Sequence, residues 1–93
     1  MNDSGLPGAG LVEQGLADLA RNEETVPAFL VSIGSPRLRT LGLDVPPPLP
    51  DAERRLYRLL EKDGVDSAHG RYNALVRTLV SFERAAAVRR RAT

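Results

Sequence analysis

Apolar positions in the first half of the chain recur at helical spacing. Val12, Leu16 and Leu19 stand four and three residues apart, a short stripe on one face of a 3.6-residue period. After Asn22-Glu23-Glu24, Val26, Phe29, Leu30 and Ile33 repeat at i, i+3, i+4 and i+7. Thr25 stands where a side-chain oxygen caps a helix, and Pro27 falls in the first turn, where its missing N–H is no loss. Gly34 fits a C-terminal stop, and Ser35-Pro36 then opens a very short helix reaching to about Leu41. Ala52, Leu56, Leu59 and Leu60 mark the inward face of another helix, capped by Asp51 and closed by Gly64. The last helix, residues 67–91, is capped by Asp66 or Ser67 and carries Tyr72, Leu75, Val76, Leu79, Phe82 and Ala86 along one face. No alternation of period two survives inspection. The pattern predicts an all-α protein, a small bundle of about four helices with a proline-rich connector and a long C-terminal helix.

Two stretches break the pattern. Residues 1–10 hold three glycines and a proline and read as a disordered leader. Their Gly5-Leu6-Pro7-Gly8-Ala9-Gly10 run resembles a phosphate loop only superficially, because such a loop follows a buried strand. Residues 46–50, Pro46-Pro47-Pro48-Leu49-Pro50, are extended polyproline II. They read as a stiff connector between helical hairpins in preference to a ligand for a proline-binding domain. Residues 11–93 then form a single helical domain, since a second core does not fit in a chain of 93 residues.

Composition thins the expected core. The aromatic residues are Phe29, Tyr57, Tyr72 and Phe82, so packing falls to Leu, Val and Ala, and the stability margin should be only a few kcal/mol. Dimerisation along the long helical stripe would be a natural remedy. With no cysteine in the sequence, disulfides and thiolate chemistry are excluded. One histidine leaves too few soft ligands for a zinc site, and no acidic cluster has loop spacing for calcium. No metal or cofactor is expected. The N-terminus lacks the basic and apolar regions of a signal peptide, and no apolar run approaches the ~18–20 residues that span a bilayer. The expected location is cytoplasmic.

Charge is divided unevenly. The last 27 residues hold six arginines and one acid, net +5, whereas the first 66 hold seven basic and eleven acidic groups, net −4. An acidic body with a basic terminal helix points to intramolecular docking, self-association or an anionic partner. Arg89, Arg90 and Arg91 complement a helix C-terminal dipole and could also grip phosphates. No aromatic residue interleaves with them to stack on bases.

Glu83 is the most unusual local feature. It follows Tyr72 by eleven residues and so points within roughly 20° of the apolar stripe. A carboxylate there needs a partner or a neutral state, with Arg37, Arg39 and Arg54 as candidate partners; otherwise it lies where the helix has left the body. His69, one turn before Tyr72 and Asn73, has no nucleophile or carboxylate aligned with it in sequence and reads as a first-turn surface or semi-buried residue, a candidate with Glu83 for a buried polar site. Ser32, Ser35, Ser67 and Ser81 lack a nucleophile-elbow context. A helix-turn-helix over residues 26–43 fits poorly, because Ser35 stands where an apolar residue belongs and the recognition helix would be too short. The residues therefore favour a non-enzymatic protein-interaction module acting through self-association or a partner protein. The alternative is an antitoxin-like regulator that binds nucleic acid with its basic helix.

Overall fold

A computed structural model describes residues 5–92. The periodic segments become α1 Ala9–Ala20, α2 Val26–Thr40, α3 Ala52–Glu61 and α4 Val65–Ala92, and no strand occurs among the described residues. No helix among them is long and apolar enough to cross a membrane. Helix α2 touches all three others, most extensively α1 and least extensively α4. With 28 residues at ~1.5 Å each, α4 spans the long axis of a molecule measuring 43 × 25 × 18 Å.

Order begins earlier than the glycine-rich composition suggests. Residues 1–4 of the expected leader lie outside the described residues, but Leu6 packs on the core and Ala9 is buried. Gly8 adopts φ 77° as the residue before α1, and a Cβ there would lie 3.0 Å from the Thr78 carbonyl of α4. A residue without a side chain thus lets the chain turn and approach α4 at once. Burial, invisible in the composition, overrides the glycine count.

The Thr25 cap forms as expected, its hydroxyl accepting from the Ala28 amide at 3.2 Å. The stop at Gly34 does not, and no separate helix begins at Pro36. Helix α2 runs through both to Thr40. An interior proline costs about 3 kcal/mol in local terms, yet Leu38 beyond it is fully buried and Leu41 nearly so. Burying each contributes roughly 1.5–3 kcal/mol, so tertiary packing outweighs the local breaker. Gly34 serves contact instead of termination, because a Cβ there would come within 2.9 Å of Leu79 Cδ2.

The proline-rich connector lies on the core as a strap. Val45 and Leu49 are buried, the Leu49 amide donates to Ser32 Oγ at 3.0 Å, and Arg39 donates to the Val45 and Pro46 carbonyls. Asp51 precedes α3 with φ 57° and its side chain makes no capping hydrogen bond; it sits 3.6 Å from Arg54 instead. Leu56 and Leu60 bury the inner face of α3, with Ala52 and Leu59 packed beside them. Helix α4 opens at Val65, so Asp66 and Ser67 fall inside its first turn, after Gly64 has reversed the chain at φ 153°.

Candidate functional site

The apolar stripe of α4 divides between two environments. Leu79, Phe82 and Ala86 are buried in the core, and Tyr72 and Leu75 pack against it. Tyr72 meets Tyr57 of α3 with ring centroids 5.7 Å apart, and burial, aided by Glu53, raises its hydroxyl pKa. These side chains hold the monomer together, so the stripe as a whole is not a free docking face. The cause is that α2 and α3 both pack along α4 and cover most of the stripe. Val76 alone of the six lies outside the core cluster, in a shallow groove shared with Ile33, Val80 and Glu83.

That groove runs between α2 and α4. Gly34 faces Leu79 and Glu83, and eight residues on Gly42 faces Arg90, so the two helices run in the same direction. Their C-termini converge at one end of the molecule. Each end is the negative pole of a helix dipole, roughly half a charge, and arginines gather there. Arg37 and Arg39 lie in the last turn of α2, and Arg89, Arg90 and Arg91 in the last turn of α4. Arg37, Arg84, Arg90 and Arg91 rim a cleft whose floor is Leu41, Ala87 and Val88. Val88 is 57% exposed, one of two large apolar side chains left so open among the described residues.

Glu83 lies outside this cleft, in the adjoining groove that shares Arg37 with it, half-buried over Gly34. Burial raises its pKa, and the Arg37 charge partly offsets the shift. Of the three arginines considered as partners, Arg37 is the one that faces it. Arg39 is committed to the strap carbonyls and Arg54 to Asp51. No hydrogen bond or ion pair within 4 Å closes on Glu83 among the described residues. His69 is exposed, with Asn73 Nδ2 at 3.2 Å from its Nε2. It stands far along α4 from Glu83, and the structure does not bring the two together. Among the described residues, no three His, Cys, Asp or Glu side chains cluster in a way that could hold a metal.

Asp18 is the polar centre that the periodicity did not single out. Only 4% exposed, it accepts from Thr25 Oγ1 at 2.7 Å and from Gln14 Nε2 and Arg21 Nη2 at 2.8 Å each. The Thr25 bond above all, with Gln14 and Arg21, lowers its pKa against the opposing effect of burial. One carboxylate thus satisfies the residue that caps α2 and stitches it to the end of α1. The readable signal was Ala9, Val12, Gly15 and Asp18 at steps of three, the face of α1 that is in fact buried.

The chain matches no protein-family model, no curated protein and no solved structure. The class that the fold itself defines is a four-helix all-α protein with one basic, apolar-floored end.

Proposed function

We propose that this protein is a non-enzymatic interaction module that binds another protein, or a second copy of itself, through the surface α4 makes with α2. The observation that carries the reading is the cleft where Val88 stands open among Arg37, Arg84 and Arg91. An exposed apolar side chain ringed by cations is the anatomy of a small interface, with an apolar centre and a polar rim. The cytoplasm is the proposed location, in keeping with the absence of a membrane-crossing helix among the described residues and of cysteine from the sequence.

A photo-crosslinking amino acid at Val88, in cells that make the protein, tests this. The expected result is a discrete protein adduct that does not form when the same group replaces exposed Gly70 at the other end of α4. No adduct from Val88, or the same adducts from both positions, contradicts the reading. A second reading, a nucleic-acid-binding regulator, is favoured by the convergence of Arg89, Arg90 and Arg91 with Arg37 and Arg84 at one end. It requires an adduct that nuclease removes and duplex binding that falls by roughly one power of salt per phosphate contact.

A further inference from the structure

We infer that the α2–α4 cleft accepts an acidic segment of a partner protein, one that places an apolar side chain between carboxylates. This rests on the interaction-module reading and names the chemistry of its occupant. The floor of Leu41, Ala87 and Val88 offers an apolar side chain a surface to cover, and among the described residues no acid lines the cleft. The positive rim exceeds what its own surroundings need. Two helix C-termini bring roughly one negative charge between them and Glu83 one more, against Arg37, Arg84 and Arg91. The excess selects an anionic occupant and steers its approach.

A carboxylate-bearing peptide fits this surface better than a nucleic acid does. Arg84 and Arg91 present planar forks that match carboxylates as well as phosphates, but among the described residues no aromatic ring lines the cleft to stack on a base. An apolar floor, moreover, has nothing to offer a sugar-phosphate backbone. The first 66 residues carry net −4 and repel an extended polyanion, while a short segment touches only the basic end. A second copy is the competing occupant, since Glu13, Asp44, Glu53 and Asp66 are exposed, and the dimer it would form is an outcome of the test.

The probe is a short fluorescein-labelled peptide, Glu-Asp-Asp-Leu-Leu-Asp-Glu-Asp, titrated with the full chain at low salt and read by anisotropy. Saturable binding is expected at about 10–100 µM. Replacing both peptide leucines with serine should weaken it about tenfold, the effect of roughly 1.4 kcal/mol. The double variant Arg84→Glu, Arg91→Glu should weaken binding at least tenfold, whereas Arg77→Glu, an equally exposed reversal on α4 outside the cleft, should leave it within about twofold. Amide NMR spectra of all variants establish that each is folded. No binding at about 1 mM, an equal loss with Arg77→Glu, indifference to the leucines, or tighter binding of a DNA duplex at the same salt each overturns the inference. So does a concentration-dependent dimer that occludes Val88. If the peptide fails while Val88 still crosslinks to a protein in cells, this inference falls and the interaction-module reading stands; if both fail, both fall.

Discussion

Helix α2 meets its neighbours at two places through a glycine, and at each a carboxylate stands close by. Where α1 crosses its start, Gly15 lies so near the Pro27 carbonyl and Val31 that an added Cβ would collide with backbone. Asp18 beside it is met by three donors at 2.7–2.8 Å. Where α4 runs along its end, the atoms nearest Gly34 are the flexible tips of Leu79 and Glu83, and among the described residues Glu83 has no hydrogen-bonded partner. The same ingredients make a closed joint at one end and an open groove at the other. The difference is that a turn of the chain delivers Thr25 and Arg21 to Asp18, whereas nothing local reaches Glu83. Closed, satisfied contacts hold a fold; open ones with surplus charge are where binding is proposed.

The largest effect that could break this contrast is steric. Gly15→Ala should destabilise by about 3 kcal/mol, because backbone must move. Gly34→Ala should cost about 1 kcal/mol, since side-chain ends can yield. Urea midpoints measure both, and equal losses would mean that the two contacts do not differ in tightness.

Thr25→Ala removes a cap and should cost about 1 kcal/mol. Asp18→Ala should cost more than Thr25→Ala, because it strands three donors at once. The double replacement should cost less than the two singles added, since they share a bond. Strict additivity would show that Asp18 is not the centre of that joint.

The two carboxylates should also give opposite pH slopes. Hydrogen bonds hold the folded pKa of Asp18 below its ordinary value, so its stabilisation is complete above the unfolded pKa and is lost as pH falls through the folded one. Glu83 has its folded pKa raised by burial. Its contribution is complete below the unfolded pKa and is lost as pH rises through the folded one. Stability scanned from about pH 2 to about 7 should therefore lose its acid limb in Asp18→Asn and flatten just above the ordinary carboxylate range in Glu83→Gln. At neutral pH, Glu83→Gln should be the smallest change, within about 0.5 kcal/mol and on the stabilising side. A large loss would reveal a paired, structural acid.

Much of the fold was legible in the sequence. The stripes at Val12–Leu19, at Val26–Ile33, at Leu56–Leu60 and along α4 marked four helices, and Thr25 announced its cap. What misled was local chemistry that packing overrides. Gly34 and Pro36 look like a stop and a start, but Leu38 and Leu41 are buried beyond them. The glycine-rich start looks unstructured, yet Gly8 is small because α4 is close. The site was legible in part. Glu83 and the terminal arginines stood out by position and charge, but the parallel course of α2 and α4 that gathers Arg37 beside them depends on tertiary contacts that no periodicity encodes. Asp18 escaped because its partners lie across a turn, seven residues on at Thr25.

The most direct test of the open groove is an amide NMR titration of the labelled chain with the acidic peptide. Shift changes should concentrate on the last turn of α2, around Arg37 and Leu41, and on α4 from Arg84 to Arg91, leaving Gln14, Asp18 and Thr25 unmoved. Changes centred on the α1–α2 joint, or spread evenly over every exposed arginine, would contradict the account.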